Sequence, residues 1–379
     1  MSEKKPHKKN PSTKASKKVA VILFNLGGPT GPDTIAPFLK RFFLDRNIIH
    51  LPYPLRWLLA SLISFFRSRG EAREVYGEMG GSSPLLENTE AQRRAIEDEL
   101  KKRLPDNTDL RTWTCMQYWH PMAESIAPQV QAFQPDQVVL LSLYPQFSTT
   151  TFRSSLQAWE AVSKKIGFHP QTSVICCYPE EAGFIAASAE KVKEKISLCQ
   201  AETGRDPRVL FSAHSLPESY IKAGDPYVWQ CENTVKAIAD KAGLDKNSYR
   251  VCYQSKVGPQ KWVGPQTEDE IERAGEDGVP IIVYPHAFVS EHVETIVELG
   301  IEYREVAEEA GAPWYDVVET VGTHPSFISG LSDQIMHALE RSTGVKPGHP
   351  DGHRICPKAY GDCCQKTFKA TKNGLSSQL

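Results

Sequence analysis

The sequence lacks an excess of charge of either sign: 44 lysines and arginines stand against 46 aspartates and glutamates, for a formal net charge of −2. This balance gives no whole-chain argument for nucleic acid as a partner, because proteins that bind it usually carry a marked basic excess. No apolar run reaches the roughly 18 residues that a membrane-spanning helix requires. These absences indicate a globular protein with neither a spanning helix nor a nucleic-acid partner.

Cysteine is present without the pattern of a secreted framework. The nine cysteines are scattered over 379 residues, and no signal peptide is recognisable before them. This usage favours a reducing, cytosolic setting. The first 18 residues hold seven lysines and no arginine, which argues against an Arg-rich transit peptide. They predict a disordered basic tail with weak affinity for anionic lipid.

Continuous apolar strands alternate with amphipathic helical patterns along the chain. The predicted strands are 19–26, 109–118, 136–145, 172–179, 208–217, 249–255 and 279–288; the clearest helices are 88–103, 121–133, 181–198, 227–242 and 267–275. Such strands, separated by helices, are typical of parallel sheets covered on both faces. The units form two successive sets that divide near residue 180, which indicates two α/β domains.

Loops rich in Gly and Pro follow most of these strands, and ligands of open α/β sheets bind where such strands end. His214 stands at one of these ends, within SAHSLP. It either acts as a general base near neutral pH or simply hydrogen-bonds the next loop. No loop matches GxGxxG or a Walker A sequence, so no motif supports nucleotide binding.

The stretch FVSEHVETIVELGIEY (288–303) predicts an amphipathic helix with Ser290 as its N-cap. Four glutamates at i, i+3, i+7 and i+11 share one face of that helix; they are Glu291, Glu294, Glu298 and Glu302. This stripe is either a solvated face or a row of oxygen ligands for a divalent cation in transit. Because the opposite face is apolar, Glu294 is expected just inside a cleft.

Apolar residues recur at helical spacing in LPYPLRWLLASLISFFRSR (51–69), with arginines on the other side. The segment predicts either a core helix with a basic outer face or an interfacial helix that forms the lip of an apolar site. Near the end of the chain, Cys356, Cys363 and Cys364 lie within nine residues. These cysteines either ligate iron–sulfur or zinc with a fourth cysteine from the body, or belong to a reduced, solvent-exposed tail.

Together these stretches resemble the ferrochelatases, enzymes that insert ferrous iron into a porphyrin in the last step of haem synthesis. The matching motifs are NLGGP, FLDRNIIHLP, YGEMGGSSPL, YWHP, LYPQFS, FSAHSLP, YQSKVGPQKWVGPQT and FVSEHVETIVELGIEY. The resemblance is nearest to the branch that acts on protoporphyrin IX, with coproporphyrin III as the lesser option. A non-catalytic tetrapyrrole or haem binder, and a cobalt or nickel chelatase on the same fold, are the alternatives.

The resemblance implies an α/β fold of two Rossmann-like, doubly wound parallel-sheet domains with a porphyrin cleft between them. The organisation that follows is a tail (1–18), an N-terminal domain (19–180) with a pocket lip (51–69), a C-terminal domain (181–345) and a cysteine-containing tail (346–379).

The resemblance also implies roles for individual residues. His214 matches the family histidine that takes pyrrole protons or meets the substrate Fe²⁺, and Glu294 matches its acidic partner across the macrocycle. His292 and Glu298 match a polar pathway that leads from this site. The expected pocket walls are Leu26, Tyr118, Ser148, Trp262 and Phe288. Gln117 stands where the family pattern has an arginine, which weakens any prediction of how one propionate is held.

Many ferrochelatases carry a [2Fe–2S] cluster, and the resemblance implies Cys356, Cys363 and Cys364 as ligands with the fourth unassigned. Ala359 replaces the middle cysteine of the mitochondrial pattern, and Thr149 occupies the usual internal cysteine position. The implied partners are protoporphyrin IX and ferrous iron. Residues 51–69 are expected to touch a membrane, and the expected location is the cytoplasm, with peripheral contact at the inner face of the cell membrane. The oligomeric state is left open, a homodimer included.

Overall fold

The computed structural model describes residues 16–341, 344–346, 348, 353–371 and 374–377. Most of the predicted basic tail and part of the predicted C-terminal tail lie outside the described residues.

The described strands form two parallel sheets and one hairpin. They are β1 (Lys17–Asn25), β2 (Thr108–Met116), β3 (Gln137–Ser142), β4 (Thr172–Ile175), β5 (Arg208–His214), β6 (Tyr249–Gln254), β7 (Ile281–Pro285), β8 (Tyr315–Val317), β9 (Gly344–Lys346), β10 (Phe368–Thr371) and β11 (Gly374–Ser377). The first sheet has the order β2-β1-β3-β4-β9, and the second has the order β6-β5-β7-β8. The antiparallel pair β10-β11 stands apart from both sheets.

Helices cover both sheets. They are a 3₁₀ turn (Pro32–Thr34), α1 (Ile35–Phe43), α2 (Tyr53–Arg67), α3 (Glu71–Gly77), α4 (Leu85–Arg103), α5 (Ala123–Phe133), α6 (Phe152–Lys165), α7 (Ala182–Thr203), α8 (Glu218–Ala223), α9 (Tyr227–Ala242), α10 (Thr267–Glu276), a π-helix (Glu294–Glu302), α11 (Tyr303–Glu309), α12 (Pro325–Glu340) and α13 (Cys364–Thr367).

Each sheet is built around one central, buried strand. β1 pairs in parallel with β2 and β3, and its residues from Val19 to Phe24 are almost fully buried. β5 occupies the same position between β6 and β7. Strands covered on both faces must be apolar throughout, which is why the apolar runs predicted them. The doubly wound α/β fold expected from the sequence is therefore confirmed.

The largest apolar core lies between the two sheets and contains α7 and α12. Phe184 of α7 and Phe327 of α12 pack there with ring centroids 5.9 Å apart, against strand residues of both sheets. β9 then returns to the first sheet and pairs with β4, although residues 344–345 were assigned to the second domain. The division of the chain near residue 180 stays a prediction, because the sheets share this core.

Candidate active site

The ends of two chain segments bring His214 and Glu294 together. His214 is the last residue of the central strand β5, and Glu294 is the first residue of the π-helix. The Nδ1 atom of His214 lies 3.2 Å from the Oε2 atom of Glu294. Both side chains are partly exposed, at 36% and 24%, so a ligand can reach them. The pair thus sits where an open α/β sheet binds its ligands.

This contact bears on the expectation that the two groups lie on opposite faces of a bound macrocycle, which stays a prediction. A flat ring needs about 3.5 Å of van der Waals separation on either side, so atoms across it are roughly 7 Å apart. The 3.2 Å contact between His214 and Glu294 is shorter than this separation.

The two charges stabilise each other. Burial opposes the imidazolium form, but the charge and hydrogen bond of Glu294 outweigh burial and raise the pKa of His214 above its usual value. Burial likewise opposes the carboxylate, but His214 lowers the pKa of Glu294 well below its ordinary range. The contact therefore favours a protonated histidine beside an ionised glutamate.

Two further predicted residues adjoin this pair. The Nε2 atom of His292 lies 3.9 Å from Oε2 of Glu294, and the His292 ring packs 4.4 Å from that of Phe288. Burial lowers the pKa of His292, although the carboxylates nearby act in the opposite direction. Burial, together with the Glu294 charge, raises the pKa of Glu298. His292 and Glu298 are thus a neutral base and a carboxyl that takes a proton readily.

Sequence reasoning missed the groups that hold Glu298. Gln254 donates to its Oε2 atom at 3.1 Å, Ser255 donates to the same atom, and Tyr303 donates to Oε1 at 3.2 Å. Gln254 and Ser255 end the predicted strand 249–255 and lie at the same sheet edge as His214. Their position at the end of a predicted strand was the sequence signal that could have identified them as site residues.

The helical stripe differs from the prediction. Ser290 is not an N-cap: it donates instead to Oε1 of Gln92 on α4, and the helix begins four residues later. Glu291 precedes the helix and accepts from the backbone N–H of Thr320 at 2.6 Å. Because residues 294–302 form a π-helix, α-helical spacing does not describe their faces. Glu302 is exposed, which fits a solvated position.

The predicted wall residues occupy several positions. Leu26 and Tyr118 share an apolar cluster with Val293, the neighbour of Glu294. The Tyr118 hydroxyl donates to Asp45 at 2.7 Å, and the Tyr118 side chain is buried. Trp262 bridges to Pro217 in the loop after His214.

The helix α2 is not a core helix. Only Ala60 and Ser64 are buried, while large apolar side chains are exposed; these include Tyr53, Leu55, Trp57, Leu58, Leu62, Phe65 and Phe66. Lys40 of α1 lies over the Trp57 ring at 4.6 Å, which fastens the helix to the body. The segment therefore presents an apolar surface, which agrees with the interfacial alternative and not with a core helix. No described helix is both long and apolar enough to cross a membrane.

Five buried cysteines meet at the end of β4; they are Cys176, Cys177, Cys356, Cys363 and Cys364. The Cys176 and Cys364 side chains are in contact, with their Cα atoms 6.7 Å apart, and the Cys176 and Cys177 sulfurs are 3.6 Å apart. Cys356 and Cys363 are hydrogen-bonded to each other. Among the described residues, no His, Cys, Asp or Glu group stands in a metal-binding arrangement. The alternative of a solvent-exposed tail does not hold for these cysteines.

Two parallel, helix-covered sheets with a partly exposed imidazole–carboxylate pair at the end of β5 define a two-sheet α/β protein with an ionisable site. The ferrochelatase family model matches residues 18–339. The chain is 46% identical over 357 residues to a ferrochelatase of Hyphomonas neptunium, covering 93% of this chain and 96% of that one. It is 50% identical over 334 residues to one of Caulobacter vibrioides, covering 88% and 92%. The chain belongs to the ferrochelatase family.

The comparison of structures is much weaker. SirB from Bacillus subtilis with Fe³⁺ aligns with a TM-score of 0.44 and 11% identity, covering 85% of this chain and 95% of that one. A likeness at this level carries no argument about the site.

Proposed function

We propose that this protein inserts ferrous iron into protoporphyrin IX to give haem, with His214 and Glu294 as the groups that carry the reaction. Membership of the ferrochelatase family supports metal insertion into a porphyrin. The observation that carries the residue assignment is the 3.2 Å contact between His214 and Glu294 at the strand ends.

The reaction exchanges two pyrrole N–H protons for one Fe²⁺ ion. A neutral imidazole can accept such a proton, but the imidazolium form cannot. His214 must therefore first lose the proton that Glu294 stabilises. The positive charge of an arriving Fe²⁺ would repel the imidazolium and so favour this loss. The neutral His214 nitrogen and the Glu294 carboxylate oxygen would then face the cation.

Glu298 and His292 are the proposed next acceptors. Glu298 lies one π-helical turn after Glu294, and its raised pKa suits a group that takes up and releases a proton. Its three hydrogen-bond donors fix the carboxyl without neutralising it. Protons from the porphyrin would thus leave the ring on the face occupied by the pair.

The test is anaerobic turnover of protoporphyrin IX with Fe²⁺, followed by absorbance. Turnover is expected with the wild type. His214→Ala and Glu294→Gln should each lower kcat by roughly 10²–10⁴-fold, the usual contribution of a general base. Glu319→Gln, an exposed matched control, should retain activity. Folded wild-type protein without turnover would contradict the proposal.

Parallel assays decide among the alternatives. A higher kcat/KM for coproporphyrin III than for protoporphyrin IX would identify coproporphyrin III as the substrate. A preference for Co²⁺ or Ni²⁺ over Fe²⁺ would identify the protein as a cobalt or nickel chelatase. Tight porphyrin binding without metallation, unaffected by the two active-site substitutions, would instead favour a tetrapyrrole carrier.

We also propose a [2Fe–2S] cluster at the cysteine group. Such clusters take four cysteine thiolates, and five buried sulfurs meet at the end of β4. Cys356, Cys363 and Cys364 would supply three ligands, and the fourth would come from Cys176 or Cys177. When bound, the cluster supplies one-electron chemistry that metal insertion itself does not require. Iron and sulfide analysis after anaerobic purification, with Cys176→Ser and Cys177→Ser compared, would identify the fourth ligand.

The last proposal concerns location. The exposed apolar side chains of α2 support peripheral contact with a lipid bilayer, at the inner face of the cell membrane. A cytoplasmic protein with a poorly soluble substrate would gain from such contact. A homodimer remains part of the proposal, to be tested by the mass of the particle in solution.

A further inference from the structure

The loop 146–149, which follows β3 and includes the predicted wall residue Ser148, is almost completely buried. Three side chains from α9 and the turn before it bind this loop; they are Asp225, Gln230 and Thr234. A single carboxylate oxygen of Asp225 accepts from both the backbone N–H and the hydroxyl of Thr149, each at 2.7 Å. The loop therefore takes its position from α9.

Gln230 links this loop to the cysteine group through one amide. Its Oε1 atom accepts from the backbone N–H of Phe147 at 2.7 Å. Its Nε2 atom donates to the sulfur of Cys356 at 3.1 Å and lies 3.6 Å from that of Cys177. A backbone N–H can only donate, so the Phe147 N–H requires the carbonyl oxygen of the Gln230 amide to face the loop. The amide NH₂ must then face the sulfurs, which have to act as acceptors.

No other orientation satisfies Gln230, which is completely buried. Turning the amide around would set its NH₂ against the Phe147 N–H, and two buried donors would lose their acceptors. Loss of the sulfur acceptor therefore weakens the hydrogen bond to Phe147, because the amide oxygen and the amide nitrogen of Gln230 are bonded to the same carbon.

The cysteine segment touches the same region at two other points. Arg153, just after the loop, donates from Nη2 to the backbone oxygen and the carboxylate of Asp362 at 2.9 and 3.0 Å. Gly224, just before Asp225, has a φ of +108°, and a Cβ there would lie 2.7 Å from the backbone nitrogen of Gly361. The C-terminal segment is thus seated directly on the residues that position the loop.

We propose that Gln230 is a positioning residue that couples the cysteine group to the substrate pocket. Sulfur acceptors hold its NH₂, and its carbonyl oxygen then fixes Phe147 and the adjoining Ser148. The coupling is reciprocal, so a porphyrin that fixes the loop also stabilises the seated cysteine segment. The inference rests on the proposed function, since it takes Ser148 as a wall of the porphyrin pocket.

The test measures hydrogen exchange of the peptide containing Phe147, by mass spectrometry in the full-length protein. Gln230→Leu should accelerate exchange at Phe147 by about tenfold, as expected for the loss of one buried hydrogen bond. It should also raise KM for protoporphyrin IX more than it lowers kcat. Lys236→Gln, an exposed change on the same helix, should alter neither.

A pair of cysteine variants separates coupling from packing. Cys356→Ala removes the nearer of the two sulfur acceptors, whereas Cys356→Ser keeps an acceptor at that position. We expect faster exchange at Phe147 in the alanine variant and near wild-type exchange in the serine variant. Equal exchange in Cys356→Ala and wild type would overturn the proposal, even if Gln230→Leu does not fold. Equally fast exchange at Phe147 in the alanine and serine variants would also overturn the proposal, because the effect would then come from loss of the sulfur ligand and not from loss of a hydrogen-bond acceptor.

Iron and sulfide are measured in the same samples. A wild type without either would remove the cluster proposal, while the exchange at Phe147 would still decide the role of Gln230.

Discussion

At the scale of single residues, the site depends on a proton shared between His214 and Glu294. The usual pKa of histidine is near 6.5, and the Glu294 carboxylate raises that of His214 above this value. The imidazole becomes neutral, and able to accept a proton, only as the pH rises through the raised pKa. The activity of the wild type should therefore increase with pH on its acid limb.

Removing the carboxylate charge should reverse this shift. In Glu294→Gln the imidazolium loses its charged partner while burial still opposes it, so the pKa of His214 should fall below that of the wild type. NMR titration of ¹³C-labelled histidine, assigned with His214→Ala, measures this directly. Glu319→Gln, which removes a distant exposed carboxylate, serves as the matched control. An unchanged or higher pKa in Glu294→Gln would show that the pair is not coupled.

Sequence reasoning found both members of this pair but not their contact. They are 80 residues apart, and strand-end position says only that each lies at the same edge of a sheet. The fourth cysteine was hidden for a similar reason. Nothing in the sequence distinguishes the six body cysteines, whereas the packing of the C-terminal segment against β4 makes Cys176 and Cys177 the candidates for the proposed cluster.

At the scale of elements, α2 is the feature with the clearest consequence. Its exposed apolar side chains have no described protein surface to cover them. Transfer of such side chains into a lipid interface is favourable by roughly 25 cal/mol per Å² of apolar area. Phe66 and Leu62 are 67% and 48% exposed, so both would enter the interface.

We expect the double variant Leu62→Ser, Phe66→Ser to bind phospholipid vesicles about tenfold less tightly than the wild type. Co-sedimentation with vesicles measures the binding. Leu198→Ser is the matched control, because Leu198 of α7 is also exposed, at 42%, but lies outside α2. Equal sedimentation of the double variant and the wild type would exclude α2 as the contact.

The elements themselves were predictable to different degrees. The seven long strands followed from their apolar runs, because burial on both faces leaves that signal. β8 and β9 have three residues each, too few for any periodicity. The π-helix was predicted as an α-helix, since apolar spacing over nine residues does not distinguish i+4 from i+5 hydrogen bonding.

At the scale of the whole molecule, one side chain ties the first half of the chain to the active site. Gln92 of α4 is completely buried and donates from Nε2 to the backbone oxygens of Val289 and Gly322, at 2.7 and 2.9 Å. Its Oε1 atom accepts from the hydroxyl of Ser290 at 2.9 Å. The segment that leads into Glu294 is therefore held by a helix of the other half.

Gln92→Leu would remove one hydrogen bond each from the Val289 oxygen, the Gly322 oxygen and the Ser290 hydroxyl, and the Val289 oxygen would keep only the N–H of Gly322. Each buried polar group left unpaired costs about 1–3 kcal/mol, so we expect a loss of roughly 2–4 kcal/mol in the free energy of unfolding. The lower midpoint of urea unfolding should come with a lower kcat, because Glu294 loses its fixed approach to His214. Arg94→Gln, an exposed change on the same helix, should leave both quantities unchanged. A variant as stable and as active as the wild type would show that the shared apolar core, rather than Gln92, sets the position of Glu294.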